Sequence, residues 1–190
     1  LRSASPIEVL RILREATAAA EHRGPAGDGI AIASGRDFDP FFQRLDPSRT
    51  DLHLGAGGNA PAVAAALVSA ARRHGVDPRS IKGSFGFDPL GALAADGALT
   101  AGIDGSYALM AGLVRWAEGH APRMRSIAVS TDVYHLAGAT AVQELAYALA
   151  SAVEILRRLE EFDLEPDTGT LVGYRAKPHT GVIDLARIGA

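Results

Sequence analysis

Short apolar runs alternate with helix-length amphipathic stretches along most of this chain, and that alternation confines it to a parallel β/α architecture. Gly29–Ser34, Asp51–Leu54, Ile81–Phe85 and Ile127–Ser130 are strand candidates of four to six residues. The stretches between them carry apolar residues every three or four positions, the period of an amphipathic helix. Strands that read as apolar runs, rather than as alternating patterns, are buried on both faces, as parallel strands covered by helices are. With 190 residues, 47% of them apolar, the chain fits one domain with a sizeable core.

Local signals place the elements. Ser5-Pro6-Ile7-Glu8 combines a capping serine, a proline at the first helical position and a capping-box glutamate. The stripe Val9, Leu10, Leu13 and Ala16 continues that helix to near Gly24. Asp39-Pro40 opens a short turn or helix through Leu45. Asn59 is expected to cap a helix from about Pro61 to His74, closed by Gly75. Asp77-Pro78 turns the chain, Asp88 caps a short helix, and a further helix starts at Asp104 or Ser106 and runs to about Gly119. After Ile127–Ser130 comes a loop carrying Asp132, Tyr134 and His135, then a long helix from about Gly138 to Glu161. On that helix Val142, Leu145, Ala146, Leu149, Val153, Leu156 and Leu159 are expected to face the core. Glu144 and Glu154 are expected to mark solvent or a polar edge, and the alternate alanines 146–152 keep the helix slim. The remainder reads as a turn (Glu165–Gly169), a strand (Thr170–Tyr174), a loop (Lys177–His179) and a short strand or helical turn (Val182–Ile188). The expected organisation is a β/α domain over 1–163, with 164–190 an unassigned tail or an extra barrel segment.

Composition removes several classes of function. Net charge is −3 and no basic run exceeds two residues, so neither a nucleic acid nor an anionic membrane is an expected partner. The pairs Arg72-Arg73 and Arg157-Arg158 fall near helix C-terminal ends, where cations suit the helix dipole, as do His74 and His120. The chain has no cysteine, which excludes disulfides, thiolate metal sites and cysteine nucleophiles and fits a cytoplasmic protein. No apolar stretch reaches the length of a membrane span, and the first residues lack a signal-peptide pattern.

Three places carry candidate chemistry. Gly55-Ala-Gly-Gly-Asn59 lies between a strand and a helix, so its amide groups could meet an anion or an acyl chain, with Asn59 as a contact. It lacks the dinucleotide spacing and the P-loop lysine, and a tight turn needing φ > 0 is the plainer reading. Ser84, at a second strand end, would point into a barrel or cleft. No nucleophile elbow surrounds it, which argues against a triad of Ser84, His135 and Asp132. Tyr134 and His135 form the best polar pair, since an imidazole there could act as a general acid or polarise a carbonyl. The alternative is a histidine held by backbone hydrogen bonds at a strand–helix turn. The six histidines show no i, i+4 pairing and no close grouping with carboxylates, so no metal site is expected.

Residues 132–150, DVYHLAGATAVQELAYALA, resemble the segment of methylmalonyl-CoA mutases that reads H…AGA…ELAY.LA. Lys82–Gly91, KGSFGFDPLG, is similar to the same family, as is the order of elements from about 25 to 162. The resemblance is strongest to the small (β, non-catalytic) subunit of the heterodimeric bacterial enzyme. It implies an α/β fold, a (β/α)8 TIM-type barrel of the mutase substrate domain, incomplete or truncated in this chain. In such barrels the coenzyme A ester threads the axis, and a separate flavodoxin-like domain delivers adenosylcobalamin for a radical 1,2-shift.

Departures from the catalytic pattern shape the functional expectation. In catalytic members a histidine stands four residues before the Ala-Gly-Ala and contacts the thioester carbonyl. Here that position is Val133 and His135 comes two residues later, in a loop two residues shorter. Where catalytic members end a strand in Thr-Ile-Gln-Asn-Asp, this chain has Ser84-Phe-Gly-Phe-Asp88, so Gly86 replaces the glutamine. The cobalamin signature Asp-x-His-x-x-Gly is absent from the sequence. The resemblance therefore implies a non-catalytic, small-subunit-type barrel that pairs with and stabilises a catalytic large subunit in a heterodimer. Adenosylcobalamin would reside in that partner and none in this chain. Phe38, Phe41 and Phe42 and the alanine-rich helix would supply the interface. Two alternatives stand beside it. One is a catalytic acyl-CoA mutase domain using His135, Tyr134 and Asp132, with Ser84, Gly86 and Asn59 near substrate. The other is an anion-binding barrel without mutase activity.

Overall fold

The structure, a computed structural model, describes residue 32, residues 34–47, 49–99 and 101–164, and the backbone of 172–175. The expected helix over 5–23, most of the strand over 29–34 and the segments 165–169, 177–179 and 182–188 lie outside the described residues.

A 3₁₀ turn, Gly35–Phe38, leads into helix α1, Asp39–Arg44, with Pro40 in its first turn. The Ser34 N–H donates to Asp37 Oδ2 at 2.7 Å and fixes the entry. Phe38, Phe41 and Phe42 are buried in the core, so they do not form the partner surface expected of them. Phe42 stacks on the His74 ring at 5.6 Å and meets Phe41 edge-on at 5.3 Å, and these contacts hold the short helix against the next one.

Strand β1, Asp51–His53, is followed by a 3₁₀ turn, Gly57–Asn59, and helix α2, Ala60–Arg73. Ala60, Ala64, Leu67, Val68 and Ala71 bury one face of α2. Asn59 does stand at the N-cap, but its side chain makes no capping bond, because the preceding 3₁₀ turn already holds the backbone in helical conformation. Gly75 ends the helix at φ 70°, as a glycine C-terminal stop should. A 3₁₀ turn at Pro78–Ser80, in which Asp77 accepts from the Arg79 N–H, delivers strand β2, Lys82–Phe87. Asp88 caps helix α3, Pro89–Asp96, and Gly97 closes it at φ 70°. Helix α4, Gly102–His120, leads to strand β3, Met124–Ser130. The expected loop after β3 contains a short helix, α5, Asp132–Leu136. Helix α6, Ala141–Glu160, begins with a capping box between Thr140 and Gln143, and strand β4, Val172–Arg175, closes the described chain.

The four strands form one sheet, ordered β1-β2-β3-β4, with every pair parallel. Strand order follows chain order, so among the described strands there is no switch point of the doubly-wound kind. Right-handed crossovers then place the connecting helices on one side, and α2 does pack on α4, and α4 on α6. The described strands make an open sheet of four rather than a closed eight-stranded barrel. Phe85, Met110, Met124, Ile127, Ile155 and Leu159 fill the space between sheet and helix row.

From Val142 to Val153 helix α6 buries a different face from the one its apolar periodicity indicates, while Leu156 and Leu159 meet the core as expected. Ala148, Ser151, Ala152, Ile155 and Leu159 face inward together with Glu144, whereas Val142, Leu145, Leu149 and Val153 are 79%, 46%, 46% and 64% exposed. The inward face is chosen by small residues, which let α6 lie close to β3, and by the polar contacts of Glu144. Among the described residues no helix is long and apolar enough to cross a membrane.

Candidate functional site

The sheet face opposite the helix row is lined by small and polar side chains, and above it lies a cavity of about 690 Å³. His53 from β1, Ser84 and Gly86 from β2, and Arg125, Ala128 and Ser130 from β3 form its floor. The strand-end segments form its walls: Gly55 and Gly57 after β1, Asp88, Gly91 and Asp96 at α3, and Asp132, Val133 and Leu136 at α5. Ligand chemistry in β/α proteins sits at these carboxyl ends of parallel strands.

Strand β2 owes its shape to two glycines. Gly83, at φ 136°, would carry a Cβ 1.9 Å from the Leu52 carbonyl oxygen. Gly86, at φ 69°, would carry one 1.9 Å from the Leu54 carbonyl oxygen. These positions bring β1 into contact with β2, and Gly86 sits within the register shift between Ser84 and Phe87. The Gly86 N–H donates to Ser84 Oγ at 3.0 Å, which turns the serine hydroxyl toward its own strand.

Asp88 ties two strand ends together. Its Oδ1 accepts from the Gly91 N–H at 2.8 Å and its Oδ2 from the Ser130 N–H at 2.7 Å. Burial pushes its carboxyl above the ordinary value, and the backbone donors oppose that rise without cancelling it. Gly91 is required at this point, since a Cβ there would lie 2.4 Å from Asp88 Oδ2.

The remaining candidates divide. Asp132 lines the cavity, and its Oδ1 is buried without a hydrogen-bond partner. Tyr134, His135 and Asn59 are not among the cavity-lining residues. Tyr134 packs on Tyr147 of α6, ring centroids 4.6 Å apart. His135 bonds through Nδ1 to Glu144 Oε1, and Thr131 Oγ1 donates to Glu144 Oε2 at 3.4 Å. Glu144 is therefore a buried carboxylate linking the β3 end, α5 and α6, not the solvent marker its place on the helix suggests. The expected lack of histidine–carboxylate grouping fails here and again at Asp39, which accepts from Arg73 Nη2 and pairs with His74 Nε2, both at 2.9 Å. Both pairs join residues nine or more apart, beyond the short spacing a sequence scan inspects. Among the described residues no cluster of three or more potential metal ligands occurs. The glycines at 55 and 57 reach the cavity wall, with Gly57 at φ 51°, so the tight-turn reading of that loop holds.

Comparison with known proteins agrees with this geometry. The methylmalonyl-CoA mutase family model matches residues 17–170. The chain is 37% identical over 126 residues to a methylmalonyl-CoA mutase small subunit of Streptomyces virginiae, which covers 66% of this chain and 19% of that protein. It is 30% identical over 153 residues to the large subunit of the same organism, covering 77% of this chain and 21% of that protein. It is 32% identical over 100 residues to the small subunit from Propionibacterium freudenreichii subsp. shermanii, covering 53% and 15%. The chain thus spans about a fifth of the length of these relatives or less. A parallel β/α sheet with its cavity at the strand ends, and a family match over residues 17–170, lead to one conclusion: this chain belongs to the methylmalonyl-CoA mutase family.

Proposed function

We propose that the chain is a segment of a non-catalytic, small-subunit-type mutase barrel, which pairs with and stabilises a catalytic, adenosylcobalamin-dependent methylmalonyl-CoA mutase subunit. The carrying observation is Gly86. It occupies the position that, by the resemblance, holds a substrate-facing glutamine in catalytic members, and a Cβ there would overlap the Leu54 carbonyl oxygen. Loss of the glutamine is therefore built into the backbone: β1 lies where the side chain would begin. The second support is His135, whose imidazole is engaged by Glu144 and lies off the cavity wall. The small- and large-subunit names of the relatives support a two-subunit arrangement. The sequential parallel sheet supports a (β/α)8 barrel completed beyond the described strands.

Adenosylcobalamin does not fit the residues of this cavity. His53, the imidazole on its floor, stands on strand β1 paired with Ser84 rather than on a loop. The cofactor belongs, in this reading, to the partner subunit.

One observation favours the catalytic alternative: a buried carboxylate orients a half-exposed imidazole, as acid–base sites require. Turnover of the assembled complex separates the readings. His135→Ala leaves turnover within about twofold if the subunit is a scaffold, whereas removal of a general acid–base group lowers it by about 10²–10⁴. A loss of that size overturns the proposal.

A further inference from the structure

Two of the segments that wall the cavity meet on one buried side chain. Asp88 is 7% exposed and sits where β2 hands over to α3. Its Oδ1 takes the Gly91 N–H from the first turn of α3, and its Oδ2 takes the Ser130 N–H from the last residue of β3. The first bond spans three residues and closes a local turn, whereas the second spans 42. Helix α5, which carries Asp132, Val133 and Leu136 on the cavity wall, starts two residues after Ser130. Ser130 is thus the point at which the α5 wall is joined to the α3 wall. The acceptor and both donors lie within the described residues, so the junction needs no further segment to form.

We propose that Asp88 is a proton-operated clasp on the cavity: the carboxylate holds α3 and the end of β3 together, and the protonated acid lets Ser130 go and loosens the α5 wall. An ionised carboxylate accepts through both oxygens, and hydrogen bonds to a charged acceptor are roughly twice as strong as neutral ones. Once one oxygen carries a proton, it becomes a donor set against an N–H donor. The bond that parts is the one to Ser130, because the cap turn keeps Gly91 beside Asp88 while Ser130 belongs to another strand. The freed Ser130 N–H can turn to water in the cavity, which Ser130 itself lines. Burial pushes the Asp88 carboxyl upward against the amides of Gly91, Ser130 and Leu90, and no side-chain charge is among the causes. The proton is therefore exchanged above the ordinary carboxylate value, in mild acid. The charged and titratable side chains around the site are Tyr107 on α4, Asp96 at the end of α3, Asp132 on α5, His53 on β1 and Arg125 on β3. Asp132 shares the wall that the clasp holds, so its titration is the one to be told apart from that of Asp88. The inference applies equally to a catalytic and a non-catalytic subunit.

Amide hydrogen exchange of the isotope-labelled chain, read by NMR from about pH 7 down to about pH 4, tests it. The carboxyl carbon signal of Asp88 reports its proton directly. With intrinsic exchange rates corrected at each pH, protection of the Ser130 amide is expected to fall at least about tenfold, with the same midpoint as the Asp88 signal. The Leu54 N–H, which donates to the Ser84 carbonyl on the neighbouring strand, is expected to keep its protection throughout. Asp88→Asn is expected to leave Ser130 poorly protected at every pH, because an amide nitrogen then faces the Ser130 N–H. Asp132→Asn is expected to reproduce the unsubstituted profile. If Asp88→Asn does not fold, the unsubstituted chain and Asp132→Asn decide the question between them. A Ser130 profile that stays flat, follows a midpoint other than that of Asp88, falls together with Leu54 or vanishes in Asp132→Asn would overturn the inference.

Discussion

Asp39 and Asp88 are carboxylates at helix starts whose surroundings push them in opposite directions. Asp39 accepts from His74 and Arg73, and the hydrogen bond with His74, aided by Arg73, holds its carboxyl below the ordinary value against a partial desolvation. A lowered folded-state value means that the stabilisation is present above the unfolded value and is lost as pH falls through the folded one. Asp88 has the reverse sign. Desolvation raises it, so the folded state holds a proton that the unfolded state has released, and its contribution declines as pH rises through that window. The expected outcome is therefore specific to Asp39. Urea unfolding should find Asp39→Asn less stable than the unsubstituted chain near neutral pH, with the gap closing as pH drops below about 4. A gap that holds constant or widens in acid would contradict the assignment of Asp39 as the clamp between α1 and the end of α2.

At the scale of elements, Gly86 and Gly97 share a backbone conformation and differ in what surrounds them. Both have φ near 70°, but a Cβ at Gly97 meets nothing within 4 Å, whereas one at Gly86 overlaps Leu54. Gly97→Ala is expected to cost about 1 kcal/mol, the strain of the conformation alone. Gly86→Ala is expected to cost at least about 2 kcal/mol, because β1 must also move. Urea unfolding of the two variants measures the difference, and equal costs would remove the close β1–β2 approach from the account. These two glycines also show what a sequence discloses and what it withholds. Strand and helix positions were legible because caps, prolines and apolar runs are local: Asp88 before Pro89 and Ile127–Ser130 fall where such signals put them. The inward face of α6 was not legible. Periodicity finds an apolar stripe but does not say what it packs on, and the small residues with Glu144 win the inner side. The His135–Glu144 and Asp39–His74 pairs were equally hidden, since tertiary packing alone brings their partners together.

Across the whole molecule, one sheet face is packed by helices and the other opens on a cavity floored by small residues together with His53 and Arg125. Strand order, the one-sided helix row and the strand-end cavity make up its β/α frame. The side chains on the cavity floor decide whether this frame performs chemistry. A Cβ at Gly86 would overlap Leu54, Ser84 accepts from the Gly86 amide of its own strand, and His135 pairs with Glu144. Isothermal titration of methylmalonyl-CoA into the purified chain tests this most directly. The account expects no saturable heat with ligand up to about 1 mM, and saturable binding in the micromolar range would contradict it.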